Sequence, residues 1–339
     1  MTPALLSCEI IEPREVTTDT QALILNMSAD RQRKTEADQF QWSFLKPRYW
    51  LTWLGLGLSI LPTLLPYSWI LAIGRGLGRL FYRWAKSRVH IARVNLKHCF
   101  PEMPDYEREA LLKANFESVG IGLMEVAMAW WWPKTRLENK VRFEGLEQLQ
   151  AQNGQGTILL ILHFTTIEIA GAMIALRHSL DATYREHKNP VFEYMQRKQR
   201  MRYDKNSNLL GRRDVRGMLR VLRVGGTVWY SPDQDYGPKQ SVFASFFDRQ
   251  TATVTGTSRL AKMGKARIVP MIVTRKPGSE GYVLKLYKAW ESFPSGDDQA
   301  DAEQVNRFVE HRVREHPEQY MWLHRRFKTR PEGEASLYK

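Results

Sequence analysis

An uncharged run of 26 residues, from Tyr49 to Gly74, constrains this chain more than any other feature. It reads YWLTWLGLGLSILPTLLPYSWILAIG and contains no Asp, Glu, Lys or Arg. A helix of about 20 apolar residues is enough to cross the hydrocarbon core of a bilayer. Pro62 and Pro66 interrupt the middle of the run, where each removes a helical hydrogen bond. The run therefore predicts a membrane-anchoring helical segment, either one span or a broken pair of short helices that is re-entrant or interfacial.

The residues around this run support contact with a membrane. Aromatic side chains near its ends are typical of a membrane interface, and Arg75, Arg79 and Arg83 follow at spacings of four, on one helical face. Such a face suits the anionic headgroups of a cytoplasmic leaflet. The alternative is a buried apolar hairpin flanked by solvated charge. We divide the chain into a mobile polar arm (1–45), a membrane anchor with a basic juxtamembrane helix (46–90) and a third domain (91–339).

The charge balance restricts the partners of the protein. Lys and Arg outnumber Asp and Glu by 50 to 36, which gives a net charge of +14 and predicts an anionic partner such as nucleic acid, anionic lipid or an acidic protein. Cys8 and Cys99 are the two cysteines, so neither a disulfide framework nor a thiolate zinc site is expected.

Beyond residue 90, helical and strand patterns alternate. Residues 106–132 have the apolar spacing of an amphipathic helix that stops at Pro133, and TILLILH (157–163) is typical of a buried strand. Further strands are predicted at ATYR, TVWYSPD, ARIVPMIV and YVLKLYKAW, with helices between all but the last two. This alternation predicts an α/β fold with helices on the faces of a sheet.

Polar side chains follow three of the predicted strands. His163, Arg185 and Asp233 each come just after a strand end. Ligands of α/β sheets bind outside the carboxyl ends of the strands, so we expect these residues to converge on one cleft.

Glu168 follows His163 by five positions, at the start of the next predicted helix. With 8 His and 36 acidic residues, about one such pair arises by chance, so the spacing alone predicts nothing. The position after a buried strand is more informative. A carboxylate near an imidazole sets its tautomer and stabilises the imidazolium, as a general base requires. The alternative is a structural histidine bonded to backbone.

Several other chemistries lack support. HRVREH (311–316) is not a zinc motif, and neither a phosphate-binding Gly-rich loop nor a Gly-x-Ser-x-Gly elbow occurs. Asp233 and Asp235 lie in the turn-rich loop SPDQDYGPK, where they could bind a metal, hold arginines or be solvated. QRKQRMR (196–202) and HRRFKTR (324–330) suit a solvated face, RNA or glycolipid phosphates, and a membrane anchor in the same chain favours the phosphates.

The order of five segments resembles the late, secondary acyltransferases of bacterial lipid A biosynthesis, from about residue 45 to the C-terminus. The segments are HFTTIE, YREHKNP, SPDQDYGP, TGTSRLAKMGKARIVP and PEQYMWLHRRFKTRPEGE. The resemblance implies a glycerolipid-acyltransferase-like mixed α/β sheet flanked by helices, and an inner-membrane enzyme of Gram-negative bacteria whose catalytic domain faces the cytoplasm. It also implies transfer of a fatty acyl chain from acyl carrier protein to a hydroxyl on a 3-hydroxyacyl chain of a Kdo-lipid A precursor. We expect no cofactor, no metal and no nucleic-acid partner. We expect the lipids of the inner membrane to be partners.

The resemblance assigns a catalytic pair. His163 and Glu168 match the family's motif of a His and an acid separated by four residues. We expect His163 to remove the proton of the acceptor hydroxyl and Glu168 to hold the imidazole.

The resemblance also assigns residues that contact the substrate. Arg185 matches a Tyr-Arg motif, with Glu186 where a proline is often expected. Arg200 and Arg202 match a basic pair, and Asp233 and Asp235 match an Asp-x-Asp loop. Either Arg200 or Arg185 could stabilise the oxyanion or bind glycolipid phosphates.

Two alternatives stay open at the level of sequence. One is an acyltransferase for a different membrane lipid, such as lysophosphatidic acid or a mannosylated lipid. The other is a non-catalytic, membrane-tethered basic binding protein in which His163 is structural.

Overall fold

The computed structural model describes residues 38–150 and 154–338. The predicted mobile arm therefore lies largely outside the described residues, apart from 38–45. These last residues pack against the rest of the chain: Phe44 is buried in a 3₁₀ turn, Trp42–Leu45, and the Asp38 carboxylate accepts a 2.6 Å hydrogen bond from Arg197. The polar arm is thus not separate from the fold at residues 38–45.

The uncharged run folds as two helices with a break at its prolines. Helix α1 spans Trp50–Leu58, a 3₁₀ turn spans Leu61–Leu64, and α2 spans Tyr67–Trp84. Of the two predicted alternatives, the structure has the helices interrupted at the prolines. Among the residues that the structure describes, no helix has both the length and the apolar character to cross a membrane.

The outer face of these helices is apolar and exposed. We define the apolar helix surface by six side chains that are between 57% and 82% exposed: Trp50, Leu51, Leu54, Leu61, Leu64 and Trp69. The alternative of a buried hairpin is wrong for these positions.

Helix α2 packs closely on α4 (Asp105–Trp131), with α3 (Lys86–Cys99) between them in sequence. Glycines form this contact: a Cβ added to Gly120 would lie 2.2 Å from the Gly74 carbonyl oxygen and 2.4 Å from the Gly78 nitrogen. Only hydrogen atoms fit where the two backbones meet. The predicted anchor segment thus packs on α4, which belongs to the predicted segment 91–339, and residue 90 lies inside α3.

A seven-stranded mixed sheet follows the short helix α5 (Lys134–Glu138). Its strands are β1 Val141–Glu144, β2 Thr157–Ile161, β3 Asp181–Tyr184, β4 Asn208–Gly211, β5 Thr227–Tyr230, β8 Arg267–Arg275 and β9 Tyr282–Leu286. The order is β1-β9-β8-β2-β5-β3-β4, and every neighbouring pair is parallel except β8 and β9. Strands β6 (Ser241–Phe246) and β7 (Arg249–Val254) form a separate antiparallel hairpin. The predicted mixed α/β sheet is confirmed.

The remaining helices connect the strands and cover the sheet. They are α6 Ile167–Ile174, α7 Pro190–Arg200, α8 Val215–Arg223, α9 Gly256–Gly264 and α10 Asp298–Glu315. Local chemistry sets their starts: the Asn189 side chain accepts from the Val191 and Phe192 amides at α7, and Asp214 accepts from the Gly217 amide at α8.

Side chains of the central strands alternate between two hydrophobic cores. Ile158 and Leu160 of β2 point into one core with α8, α9 and α10, whereas Leu159 and Ile161 point into the other with α1, α2 and α6. Both faces of β2 are buried, which explains its continuous apolar sequence.

Candidate active site

A cavity of about 950 Å³ opens beside the carboxyl ends of β2, β5 and β3. These strands are neighbours and run parallel, so the loops that follow them meet at one edge of the sheet. His163 after β2 and Arg185 after β3 line the cavity, and Asp233 after β5 contacts His163 directly. The three residues that follow the strand ends thus come together.

The Asp233 carboxylate holds His163 at two points. Its Oδ1 lies 2.6 Å from the imidazole Nδ1, and its Oδ2 accepts a 2.8 Å hydrogen bond from the His163 backbone amide. Burial opposes ionisation of Asp233, but its contacts with His163 outweigh burial and hold the pKa of the carboxyl below its usual value. An ionised carboxylate can only accept hydrogen bonds, so Nδ1 carries the hydrogen. The Nε2 lone pair is then free to take a proton.

The loop that carries His163 is bound to the C-terminal segment. Met321 donates its backbone amide to the His163 carbonyl at 2.9 Å, and the Thr165 amide donates to the Gln319 carbonyl at 2.7 Å. Thr166 occupies the N-cap position of α6, but its hydroxyl donates to the Val273 carbonyl at 2.6 Å instead of capping the helix. These bonds fix the imidazole relative to the cavity.

The structure places Glu168 against Arg200, and not against the imidazole for which the sequence analysis proposes it as partner. Both Glu168 oxygens accept hydrogen bonds from Arg200, at 2.9 and 2.6 Å, and Oε1 also accepts one from the Trp130 indole at 3.0 Å. Burial opposes its ionisation, but Arg200 outweighs burial and lowers the pKa of Glu168. Asp233 occupies the imidazole Nδ1, so Glu168 contributes a charged pair to the cavity wall.

The three predicted arginines lie in different environments. Arg200 is paired with Glu168, and Arg202 donates a hydrogen bond to the Trp130 carbonyl oxygen and stacks on Tyr203, 5.0 Å from the ring centroid. Arg185 is exposed and lines the cavity. Arg185 is therefore the predicted arginine best placed to meet an anionic group.

Asp235 is also committed to internal contacts. It accepts hydrogen bonds from the Thr329 amide at 2.6 Å, the Thr329 hydroxyl at 2.8 Å and the Gly237 amide at 2.8 Å. Its own amide donates to His324 Nε2 at 3.2 Å, which is consistent with a neutral ring because burial lowers the pKa of His324 to about 4. Asp235 thus fastens the C-terminal segment to the cavity edge.

In residues 38–150 and 154–338, no group of three or more His, Cys, Asp or Glu side chains is placed to hold a metal ion.

The cavity mouth contains cationic side chains that the sequence analysis missed. Arg212, Arg213 and Lys239 are exposed and line it with Arg185. Arg212 follows β4, so the same rule of polar residues after strand ends would have found it, but the partly polar four-residue β4 was not recognised as a strand.

Comparisons with known proteins agree over most of the chain. Residues 37–329 match the sequence family described as bacterial lipid A biosynthesis acyltransferase. The chain is 43% identical over 307 residues to the lipid A biosynthesis lauroyltransferase of Escherichia coli K12, which covers 90% of this chain and 100% of the relative. It is 41% identical to the palmitoleoyltransferase (88% and 98% covered) and 31% identical to the myristoyltransferase (89% and 94% covered) of the same strain.

A solved 1-acyl-sn-glycerophosphate acyltransferase from Thermotoga maritima covers 71% of this chain and 94% of its own, with 18% identity and a TM-score of 0.33. At this distance neither fold nor function is transferred.

The sequence relatives and the oriented histidine beside a large cavity define the class: the chain is an acyltransferase. It belongs to the bacterial lipid A biosynthesis acyltransferase family.

Proposed function

We propose that this enzyme transfers a fatty acyl chain from the thioester of acyl carrier protein to a hydroxyl on a 3-hydroxyacyl chain of a Kdo-lipid A precursor. The observation that carries the proposal is the His163–Asp233 pair, which leaves Nε2 free to accept a proton beside the cavity. Family membership supports lipid A as the acceptor.

His163 acts as the general base in this reaction. Nε2 takes the proton of the acceptor hydroxyl as its oxygen attacks the thioester carbonyl, and a tetrahedral oxyanion forms. Collapse of this intermediate forms the ester and breaks the carbon–sulfur bond, and the imidazolium returns its proton to the leaving thiolate. Proton transfer of this kind contributes about 10²–10⁴-fold to a rate. Asp233 keeps the imidazole in the required tautomer and stabilises its positive charge.

Exposed cations at the cavity mouth suit an anionic glycolipid. Arg185, Arg212, Arg213 and Lys239 line the cavity, and in the described part of the chain none of them takes part in an ion pair. Arginine guanidinium groups bind phosphate oxygens in a bidentate manner. We assign these four side chains to the phosphates and sugar acids of the acceptor, and Arg185 in addition to the developing oxyanion.

The apolar helix surface supports attachment of the enzyme to a membrane. Its six exposed Leu and Trp side chains suit the boundary between headgroups and acyl chains, and Arg75, Arg79 and Arg83 of α2 suit anionic lipid. We propose interfacial attachment at the inner membrane with the cavity on the cytoplasmic side.

The double variant Leu64→Asp, Trp69→Asp tests this attachment and is expected to lose sedimentation with anionic vesicles. The matched control Met263→Asp, on α9 against the other core, is expected to sediment like the wild type.

The test of the reaction uses purified enzyme, acyl carrier protein loaded with a labelled acyl chain, and competing acceptors. The expected result is labelled product from the Kdo-lipid A precursor and little from lysophosphatidic acid at equal concentration. Preferential labelling of lysophosphatidic acid would replace the proposed acceptor. Absence of labelling of any lipid by well-folded enzyme would contradict the proposed donor and acceptor together.

A further inference from the structure

Helix α8 presents an unusual density of positive charge. Residues 212–223 read RRDVRGMLRVLR and contain five arginines and one aspartate. Arg216, Arg220 and Arg223 are all exposed, and their spacings of four and three place them on one side of the helix. The opposite side, with Met218, Val221 and Leu222, is buried in the core. We call the three exposed residues the α8 arginine face.

This charge has no internal counterion within the described residues. The Asp214 carboxylate, the acid nearest in sequence, accepts a 2.9 Å hydrogen bond from the Gly217 amide and caps the helix. Helix α10 also has exposed arginines, but these pair with acidic residues of the same helix. Arg307 lies 3.7 Å from Glu303, and Arg314 lies 2.8 Å from Glu310. The α8 arginine face is therefore available to an acidic partner, at no cost of breaking an existing pair.

The α8 arginine face is continuous with the cavity mouth. Arg212 and Arg213, which line the cavity, precede the N-cap residue Asp214 of the helix. From Arg216 to Arg223 the helix extends by roughly 10 Å, at about 1.5 Å per residue. A partner bound along this face would lie beside the opening through which the thioester has to reach His163.

The surroundings of the face favour a protein over a membrane. Helix α8 packs into the core on one side of the sheet, whereas α1 and the first turns of α2, which form the apolar helix surface, pack into the core on the other side. A helix that lies in a membrane interface combines basic residues with exposed Trp, Phe or Leu. On α8 the exposed large apolar side chain is a valine, Val215, which is 43% exposed. The face thus has the charge that attracts an anionic surface, without the apolar residues that insert into lipid.

We propose that the α8 arginine face is the docking surface for the acidic protein that delivers the acyl thioester. The proposal rests on the proposed function, since that function supplies the carrier protein as partner. Complementary charge of this kind steers association and makes it dependent on salt. Arg216, Arg220 and Arg223 orient the carrier so that its thioester enters the cavity from the side of α8, and they do not touch the reacting atoms.

Direct binding tests the proposal without turnover. Fluorescently labelled holo acyl carrier protein is titrated with wild-type enzyme and with a variant that carries Arg216→Glu, Arg220→Glu and Arg223→Glu. We expect the variant to bind at least about tenfold more weakly at low salt, within the range of 10–10³ by which electrostatic steering alters association. The difference should shrink at 0.5 M salt (about a 4 Å screening length). Arg307→Glu, a charge reversal at another exposed helical arginine, should bind like the wild type. The single variant Arg220→Glu is titrated in the same way, and the melting temperatures of all variants show whether they are folded.

Transfer assays separate this proposal from the proposed function. With acyl carrier protein as donor, the triple variant should show a raised KM. With the same acyl chain as a small pantetheine thioester, which has no protein to dock, its rate should equal that of the wild type. Equal carrier binding by wild type and triple variant would overturn the docking surface even if both enzymes transfer acyl groups. Loss of binding to anionic vesicles with unchanged carrier binding would assign the face to lipid and also overturn it. Failure of the proposed function would instead appear as carrier binding without transfer from either donor.

Discussion

Replacement of Asp233 by asparagine tests which acid orients His163, the proposed general base. The carboxylate accepts two hydrogen bonds, from Nδ1 of His163 at 2.6 Å and from the His163 amide at 2.8 Å. An asparagine at this position has one acceptor arm and one donor arm, so only one of these two bonds survives. If the amide oxygen keeps the backbone bond, the NH₂ group faces Nδ1 and favours the tautomer with hydrogen on Nε2. That tautomer cannot accept a proton from the acceptor.

The size of the effect follows from these contacts. A general base contributes about 10²–10⁴-fold, and replacement of the orienting Asp by Asn in serine proteases lowers kcat by about 10⁴ through the wrong tautomer. We therefore expect Asp233→Asn to lower kcat by about 10²–10⁴ while substrate binding changes little. Loss of one bond to a charged group in a buried site also destabilises the fold by about 1.5–3 kcal/mol. A melting curve shows whether the variant is folded at the assay temperature.

The assay measures initial rates of labelled acyl transfer by Asp233→Asn and, as the matched comparison, Glu168→Gln. Glu168→Gln keeps the shape of the side chain but weakens the pair with Arg200, so we expect a smaller loss of kcat than for Asp233→Asn. The opposite result would be a kcat of Asp233→Asn within about threefold of the wild type, with a kcat of Glu168→Gln lowered by about 10²–10⁴. That result would show that Glu168, and not Asp233, orients the imidazole.

Three further predictions concern stability, each measured by thermal or denaturant unfolding. Gly120→Ala places a methyl group 2.2 Å from a carbonyl oxygen and should lower the free energy of unfolding by about 1–3 kcal/mol. The control Gly76→Ala has open space around it and should be neutral or stabilising. Equal effects of the two variants would refute the close α2–α4 contact. Glu125→Gln leaves Arg275 with an uncompensated buried charge and should destabilise by about 3–5 kcal/mol, and a change below 1 kcal/mol would show that the 2.7 Å pair is not formed. Asn189→Ala removes the cap of α7 and should cost about 1 kcal/mol, and an unchanged unfolding midpoint would contradict that role.

Local patterns in the sequence predict much of the fold. Strands β2, β5 and β8 are buried on both faces and appear as apolar runs, and Asn189 and Asp214 cap the helices that they precede. The strands that were missed are short or lie away from the sheet centre: β1 and β4 are edge strands of four partly exposed residues, and β6 and β7 form a separate hairpin. Such strands lack a continuous apolar signal because water or a loop covers one side.

The candidate site shows where sequence spacing fails. Asp233 lies 70 positions after His163, and only the adjacency of β2 and β5 brings the two together. Glu168 is close to His163 in sequence, yet it forms an ion pair with Arg200, which lies 32 positions later at the end of α7. The rule that strand ends converge located the cavity, but the pairing of acids with bases within it depends on tertiary geometry.

Mass spectrometry of lipid A tests the central claim most directly. The enzyme is expressed in bacteria that lack their own late acyltransferases, as the wild type and as His163→Ala at equal protein levels. Wild-type enzyme should add the mass of one fatty acyl chain to lipid A, and His163→Ala should add none. Equal acylation by both proteins would contradict His163 as the general base, and no added chain from folded wild-type enzyme would contradict lipid A as the acceptor.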